Sequence, residues 1–305
     1  MRALLTGLGA WGSLWYEKLL LRDDIVLAGA VDLNRNTWKA EASVRFFADA
    51  EQAMELVKPD FVLNATPPKM HRLINDLAFD RDIPVLCEKP IAENHEDVLH
   101  IASRALKGQK MMIAENYRYA PQARAFKAAL GREPVGVIQE IHILFKRRHH
   151  IGNYHMSMKH PLLLDVGIHH LDMLRYFTGS EAKRVNAGFH TPPGSWYRGY
   201  SNAELLITMQ DGLKVTYVGS LDAEANETGW YGQWTFTGEN GELCFAPDDR
   251  EDNAGSDAVL DSFIDYVRNG KMPETHISDN IKTQSIANAA LQSFHERKEI
   301  TLDAD

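Results

Sequence analysis

The sequence predicts an α/β domain with a doubly wound parallel sheet, followed by an α+β domain with a large, mostly antiparallel open sheet. Over roughly the first 115 residues, short apolar runs alternate with helical patterns, which is typical of parallel strands joined by right-handed crossovers. After Tyr119, several strand-like segments follow one another directly. The turns between them, such as 210–212 and 239–241, contain Asp, Asn and Gly and therefore favour hairpins.

The chain begins with a glycine-rich turn between a strand and a helix. The apolar run 3–5 leads into Gly7, Gly9 and Gly12, in the spacing GxGxxG, and a helical pattern follows at once. Gly7 allows the tight turn, Gly9 lets the backbone approach a pyrophosphate, and Gly12 lets the helix pack closely on the sheet. This context predicts a Rossmann-type dinucleotide site at the start of the helix. The other residues of this turn expected to contact the cofactor are Ala10 and Trp11.

An acidic residue follows the second strand. The apolar run 25–31 ends at Asp32, 20 residues after Gly12, where a carboxylate accepts hydrogen bonds from an adenine ribose. The alternative interpretation is an aspartate that opens a solvated turn. Because Asp32 would repel a 2′-phosphate, we predict NAD rather than NADP as the cofactor. Arg35, three residues further on, could pair with such a phosphate and keeps NADP as the alternative.

Polar clusters follow the next three predicted strands. They are 64–68, 88–90 and 114–116, each placed where an apolar run ends. Ligands of wound parallel sheets bind beyond the carboxyl ends of the strands. We therefore expect these three clusters to line one crevice.

Length, charge and cysteine content limit the function classes. A chain of 305 residues favours two domains, which we place at 1–118 and 119–305. The net charge of −9 argues against nucleic-acid binding. Cys87 and Cys244 offer neither a disulfide framework nor metal-ligand spacing, which favours a reducing compartment. Because the chain starts with its first strand and has no run of about 18 apolar residues, we expect a cytoplasmic protein without membrane contact.

Taken together, these motifs make the sequence resemble the Gfo/Idh/MocA oxidoreductases, a family that includes glucose–fructose oxidoreductase and inositol dehydrogenase. The resemblance covers nearly the whole chain. It is carried by the GxGxxG turn, by 66–68 with His71, by the EKP triplet 88–90, and by the segment DVGIHHLD at 165–172. The family implies hydride transfer between NAD(P) and a carbinol carbon of a sugar, cyclitol or related polyol. It also implies that residues 1–118 bind the cofactor, and that residues 119–305 bind the substrate and form a homodimer or homotetramer.

The resemblance further implies that Lys89, Asp165 and His169 surround the substrate carbinol. This fits the chemistry, because alcohol oxidation needs loss of a hydroxyl proton as hydride leaves carbon. A histidine is suited to accept that proton, and a lysine ammonium favours negative charge on the oxygen. Asp165 and His169 are four residues apart, so they would share one face of a helix. We interpret Asp172 as structural, and we predict no metal because His169 and Asp172 lack a third ligand.

The remaining residues of the site also come from the resemblance. Arg118 is expected near the substrate or at an interdomain contact. Many members carry consecutive glycines shortly before the DxGxH segment, whereas this chain has Met158, Lys159, His160 and Pro161. The substrate pocket is therefore altered, and His155, His160 and Arg148 are candidates to line it, with solvated loop residues as the alternative. The further cofactor contacts implied by the family are Ala65, Thr66, Pro67, His71, Glu88, Lys89 and Asn116.

Assembly and turnover each leave alternatives. An open sheet with helices on one side would expose Trp230 and Trp234 on the other, where a partner subunit could cover them; alternatively these rings fill the core. The main functional alternatives are a non-catalytic protein that senses a nucleotide or sugar, and an enzyme that performs elimination or glycoside cleavage while recycling its NAD. The set Lys89, Asp165 and His169 favours catalysis over sensing.

Overall fold

The computed structural model describes residues 1–34, 44–132, 135–150, 152–247 and 253–302, apart from the side chains of residues 153 and 154. The chain forms two compact units. The first comprises Met1–Ala114 and Val259–Ile281, and the second comprises Glu115–Ala258 and Lys282–Asp305. Arg35, the residue that left NADP as an alternative, lies outside the described residues.

The first unit is built on a six-stranded parallel sheet. Its strand order is β3-β2-β1-β4-β5-β6, so the winding direction reverses between β1 and β4. This is the doubly wound arrangement that the alternating pattern predicts, and it places the carboxyl ends of the strands at one edge. The strands are β1 (Arg2–Thr6), β2 (Val26–Val31), β3 (Arg45–Phe47), β4 (Phe61–Asn64), β5 (Val85–Cys87) and β6 (Met111–Ile113).

In the described part of the first unit, four helices connect these strands. Two of them begin at side-chain caps: the carboxylate of Asp49 accepts from the N–H of Gln52, and the amide oxygen of Asn94 accepts from the N–H of Asp97. Their apolar faces bury residues such as Met54 against the sheet. The helices are α1 (Ala10–Leu20), α2 (Ala50–Val57), α3 (His71–Phe79) and α4 (His95–Ala105).

A late segment of the chain returns to the first unit. The N–H of Ile113 donates to the carbonyl of Thr275, and the Thr275 hydroxyl donates to the carbonyl of Ile113. The segment thereby satisfies backbone groups of β6, which is the last strand of the sheet. The sequence predicts one boundary near residue 118, whereas the structure returns 259–281 to the first unit. Apolar periodicity reveals helices in this stretch but not the strand edge that they approach.

The second unit contains a seven-stranded mixed sheet of order β12-β11-β7-β10-β9-β8-β13. β7 and β10 are parallel, and every other described pair is antiparallel, so the expected fold class is confirmed. The strands are β7 (Ile138–Lys146), β8 (Ala182–His190), β9 (Asn202–Met209), β10 (Lys214–Ser220), β11 (Gln233–Gly238), β12 (Gly241–Phe245) and β13 (Ile300–Thr301). Two helices of this unit are α5 (Pro121–Leu130) and α6 (Ile168–Thr178), whereas α7 (Ser256–Asn269) and α8 (Ile277–Glu296) each have residues in both units.

The core of the second unit corrects one expectation. Trp230 and Trp234 are buried in its apolar cluster rather than displayed on an uncovered face. The indole N–H of Trp234 donates to the carbonyl of Tyr231, and the Arg147 guanidinium lies 4.5 Å from the Trp230 ring centroid. These aromatic rings therefore fill the core, which was the alternative interpretation. Within the described ranges, no helix has both the length and the apolar character that a membrane crossing requires.

Candidate active site

The glycine turn after β1 depends on close backbone contacts. Gly7 has φ +84°, and its N–H donates to the carbonyl of Val31 at 2.8 Å. A Cβ on Gly7 would lie 2.5 Å from the carbonyl oxygen of Ala65, and one on Gly12 would lie 2.0 Å from the carbonyl oxygen of Gly7. Both glycines are therefore required by packing at the point where the sheet reverses its winding.

Gly9 differs, because its surroundings fit a ligand. It is exposed, and a Cβ built on it would meet no described atom within 4 Å. Gly9 is the N-cap of α1, and in the described part of the chain no side chain caps this helix and no acidic residue lies in its first turn. The N–H groups and positive dipole end of α1 are therefore available to an anion. This geometry fits the pyrophosphate of a dinucleotide.

Asp32 lies beside this turn at the end of β2. Its Oδ2 accepts from the N–H of Leu8 at 2.7 Å, and its Oδ1 accepts from the N–H of Asn34 at 2.8 Å. The residue is only partly buried. Two backbone donors fix the carboxylate, which has further acceptor capacity for ribose hydroxyls. The placement fits the predicted ribose contact.

A buried polar network holds the turn after β4. The Asn64 amide donates to Asn75 Oδ1 at 2.8 Å, while its own oxygen accepts from the hydroxyl of Thr66 at 2.7 Å. The ring of His71 contacts the carbonyl of Thr66 through Nε2 at 2.9 Å and that of Pro90 through Nδ1 at 3.0 Å. Burial lowers the pKa of His71. In this geometry His71 connects two turns of the predicted crevice, and a direct cofactor contact by its ring stays a prediction.

The EKP triplet is anchored to α1. Glu88 Oε1 accepts from the indole N–H of Trp15 at 2.7 Å, and Glu88 Oε2 accepts from the backbone N–H of Lys89 at 3.2 Å. The Lys89 ammonium lies 5.9 Å from the ring centroid of Trp11, and Lys89 is 8% exposed. Glu88 therefore fixes the backbone that carries Lys89. Trp15 had no predicted role, because its spacing matches that of an ordinary core residue of α1.

In the second unit, His169 is held from two sides at the start of α6. Its Nδ1 forms a hydrogen bond with Glu115 Oε1, and its ring stacks on Tyr117 with centroids 4.1 Å apart and an interplanar angle of 7°. His169 is 3% exposed and Glu115 is fully buried. Glu115 stands at the end of a predicted strand and had no predicted role, because its partner lies 54 residues away.

Asp165 precedes His169 in a π-helical turn, 162–167, that continues into α6. Its Oδ2 lies 3.7 Å from Nε2 of His155, so one of the three candidates for the altered pocket lies beside a predicted catalytic residue. In this wider turn, residues four apart do not lie on one face as they do in a regular α-helix. Such turns are frequent at functional sites.

His170, the neighbour of His169, faces the core. Its Nε2 contacts the carbonyl of Trp230 at 2.9 Å and its Nδ1 contacts the Tyr217 hydroxyl at 3.2 Å. Burial lowers the pKa of His170 to about 3. The ring is therefore neutral at physiological pH, and its contacts are with groups of the core.

Arg118 and Asp172 form a buried ion pair. The Arg118 Nε donates to Asp172 Oδ2 at 2.7 Å, its Nη2 donates to Oδ1, and the Thr283 hydroxyl also donates to Oδ1 at 3.0 Å. Burial is the largest effect on Asp172 and raises its pKa, against the opposing influence of Arg118. Asp172 is thus enclosed by these partners, and its structural role stays a prediction. This pairing does not support the predicted contact of Arg118 with substrate, which stays a prediction.

Three other predicted residues are placed as follows. Asn116 is buried, and its amide donates to the carbonyl of Ala254 at 3.2 Å. His160 is not in a solvated loop: it is buried among aromatic rings, stacked on Tyr200 with centroids 5.0 Å apart. Arg148 is exposed, and its backbone N–H donates to Glu227. No group of three or more potential metal ligands lies together in the parts of the chain that the structure describes.

Comparison with known families decides the classification. Residues 1–116 match the model of an oxidoreductase family with an NAD-binding Rossmann fold, and residues 123–244 match the GFO/IDH/MocA C-terminal domain. The chain belongs to the Gfo/Idh/MocA family. It is thus a nicotinamide-dependent oxidoreductase by family, which confirms the resemblance, the enzyme class and the cofactor class inferred from the motifs.

Curated relatives of this family member are identical to it at about a quarter of the aligned residues. An uncharacterized protein, y4oX of Sinorhizobium fredii, is 28% identical over 77% of the chain and 68% of its own length. The inositol 2-dehydrogenase of Pseudarthrobacter chlorophenolicus is 27% identical over 63% of the chain and 61% of its own length. The D-apiose dehydrogenase of Paraburkholderia graminis is 23% identical over 85% of the chain and 77% of its own length.

Solved structures agree with the family assignment at the level of the fold. GenD2 from gentamicin A biosynthesis, solved in complex with NAD, has a TM-score of 0.89 at 18% identity and covers 100% of this chain and 97% of its own. The myo-inositol dehydrogenase of Corynebacterium glutamicum has a TM-score of 0.83 at 21% identity, with 100% and 99% covered. Both units of the chain therefore have the architecture of these proteins.

Proposed function

We propose that this family member transfers a hydride between NAD and a carbinol carbon of a polyhydroxylated small molecule, such as a sugar or cyclitol. The observation that carries the proposal is the setting of His169, an ionisable ring held in one orientation by Glu115 and Tyr117. A protein that only sensed a nucleotide would not need such a ring. The names of the inositol and D-apiose dehydrogenases support the substrate class.

In this proposal the first unit binds cofactor and the second binds substrate, as in the predicted division at residue 118. The N–H groups at the start of α1 and the carboxylate of Asp32 would hold the dinucleotide, and the bound nicotinamide supplies the hydride acceptor. His169 accepts the hydroxyl proton as the carbon loses hydride, so that the alcohol becomes a carbonyl. Lys89 stabilises the negative charge that develops on the oxygen. Asp165, next to His155, orients the substrate or shares the proton.

Cofactor choice and substrate class are tested together. Sugars, sugar acids and inositols would be screened with NAD and with NADP, following absorbance at 340 nm. We expect stoichiometric NADH formation with at least one polyol and a higher kcat/KM with NAD, because Asp32 repels a 2′-phosphate. A kcat/KM that favours NADP tenfold or more would overturn the cofactor preference. Product without net NADH would instead support the NAD-recycling reaction, and cofactor binding without any turnover would support the sensing role.

We also propose a homodimer or homotetramer formed through the sheet of the second unit. Thr235, His142, Thr216 and Leu206 lie in register on adjacent strands and point to the face opposite Trp234, and Leu206 is 59% exposed. A second copy of this row would cover Leu206. Sedimentation at micromolar concentration should give twice or four times the 34.4 kDa chain mass, and a single species at the chain mass would exclude the assembly.

The compartment proposed is the cytoplasm. Cys87 and Cys244 are both free thiols in the structure. Cys87 is buried, and burial raises its pKa. Two unpaired thiols are typical of a reducing compartment. Fractionation of the native host, with the protein followed by antibody, would test this location.

A further inference from the structure

Glu115 and His169 form the most thoroughly buried ionisable contact beside the proposed reaction centre. Glu115 is fully buried and its Oε1 forms a hydrogen bond with Nδ1 of the imidazole. An ionised carboxylate only accepts hydrogen bonds, so the proton of this contact belongs to the ring. A neutral imidazole carries one proton, and one placed on Nδ1 leaves the acceptor lone pair on Nε2.

We propose that Glu115 is a positioning residue, which fixes His169 in the tautomer whose Nε2 accepts the substrate proton. This inference rests on the function proposed above. The substrate O–H bond breaks and its proton goes to Nε2, while the Nδ1 proton stays in the bond to Glu115. The imidazolium so formed has the Glu115 carboxylate as its counterion, which favours the charged ring in a buried setting.

The local chain geometry explains how Glu115 reaches the ring. Glu115 and Arg118 are three residues apart in the segment after β6, and their partners His169 and Asp172 are three residues apart on α6. Two parallel side-chain contacts thus join this segment to one stripe of the helix. Tyr117, between them, stacks on the His169 ring and restricts its rotation. The imidazole is thereby fixed in both plane and tautomer.

The titratable groups described near this pair include Asp172, His170 and Asp165. Asp172 is close enough to Glu115 for the two negative charges to interact, but Asp172 is itself paired with Arg118. His170 adjoins His169 and is neutral, since burial lowers its pKa to about 3. Asp165 lies one turn before His169, with His155 at 3.7 Å. Among these groups, Glu115 makes the direct hydrogen bond to the ring.

Glu115→Gln tests the proposal, because it keeps the shape and removes the charge. We expect kcat to fall about 10- to 1,000-fold, less than the full effect of losing a general base. The acidic limb of the kcat/KM profile should move to lower pH, because the carboxylate no longer favours the protonated ring. Glu115→Asp, which retains the charge, should recover part of the loss.

A double-mutant cycle separates positioning from simple structural damage. If Glu115 acts through His169, Glu115→Gln should cost almost nothing further in a His169→Ala background. Additive losses would overturn the proposal. Thr283→Val is the matched control: it removes a buried hydrogen bond to Asp172 in the same unit, so it should lower the melting temperature and leave the pH profile in place.

Histidine ¹⁵N NMR of the intact protein gives a readout that needs no substrate. The His169 signals, assigned by their loss in His169→Ala, should show a proton on Nδ1 and none on Nε2 at neutral pH. Glu115→Leu should weaken that preference. A proton on Nε2 in the parent protein would overturn the inference even if polyol oxidation is confirmed. Conversely, the expected tautomer without turnover would contradict only the proposed function.

Discussion

At the glycine turn the groups that fit a ligand belong to the backbone and lie open, whereas at the start of α6 they belong to buried side chains. Gly9 is exposed above an uncapped helix end, and Asp32 is fixed by two backbone N–H groups. His169 instead depends on Glu115 and Tyr117, both of which are buried. A pyrophosphate is large and carries a fixed charge, so open backbone donors suffice. A proton acceptor needs its tautomer and orientation controlled, which takes buried partners.

The largest expected effect tests the side chains proposed to act on the substrate, His169 and Lys89. His169→Ala should lower kcat by about 10²- to 10⁴-fold, as expected for a general base, with NADH affinity little changed. Lys89→Met should be comparably damaging, since it keeps the aliphatic stem and removes the charge. Steady-state kinetics and NADH titration would measure both.

His170→Ala is the internal control for this assignment. His170 contacts Trp230 and Tyr217 in the core, so its loss should reduce stability more than turnover. If His170→Ala abolished turnover while His169→Ala left it intact, the roles within the motif would be wrong even though the family is established.

The second prediction tests the open backbone groups of the glycine turn, by substitution of two of its glycines. Gly9→Val should keep the fold, because a Cβ there meets no described atom within 4 Å, yet it would obstruct the pyrophosphate path. We expect NADH binding to weaken about 30-fold, equivalent to the ~2 kcal/mol that a favourable helix-terminus charge interaction supplies. Unchanged affinity by titration calorimetry would mean that the cofactor site is misplaced.

Gly12→Ala provides the contrast. Its Cβ would lie 2.0 Å from the Gly7 carbonyl oxygen, a backbone atom that cannot yield easily. We expect a loss of stability of about 1–3 kcal/mol, as for overpacked sites, measured by thermal unfolding. Equal melting temperatures for Gly12→Ala and Gly9→Val would remove the distinction between packing and ligand access within this turn.

The same contrast explains what could be predicted from the sequence. The glycine turn and the alternation of strands and helices follow from local signals, since spacing and apolar runs lie within a few residues of each other. The Glu115 to His169 contact joins residues 54 positions apart, and the Glu88 to Trp15 contact joins residues 73 apart. Neither Glu115 nor Trp15 has a local pattern that separates it from an ordinary strand end or core residue. Family resemblance identified His169 but not the groups that orient it.

The exposed-face interpretation of Trp230 and Trp234 was wrong for a related reason. The sequence predicts strands and alternation, but the face of the sheet on which an aromatic ring lies depends on register with neighbouring strands. β11 begins only at Gln233, so Trp230 lies before the strand, and Trp234 pairs across from Ile143 on the buried face. The return of the chain to the first unit at 259–281 was not predicted, because helical periodicity carries no information on which strand edge a helix approaches.

The smallest expected effect concerns the pKa of a buried histidine that has no acidic partner. His160 is buried among Phe189, Tyr200 and Phe294, and neither ring nitrogen has a hydrogen-bond partner in the part of the chain that the structure describes. Burial, with smaller contributions from Lys159 and His295, lowers the pKa of His160 to about 4, whereas an unfolded histidine titrates near 6.5.

The direction of the pH dependence follows because the pKa of His160 is lower in the folded chain than in the unfolded chain. Between pH 6.5 and 4 the unfolded chain binds a proton at His160 that the folded chain does not, so folded stability falls as pH falls through this window. His160→Phe removes this linkage and the two unsatisfied ring nitrogens. At pH 7.5 its free energy of unfolding should lie within about 1.5 kcal/mol of the parent, as for a shape-conserving core change. Urea unfolding at pH 7.5, 6 and 5 should show that the free energy of unfolding of the variant increases relative to that of the parent at each lower pH. A constant difference across these pH values would mean that His160 titrates normally in the folded chain, and burial without a partner would then not distinguish it from a solvated histidine.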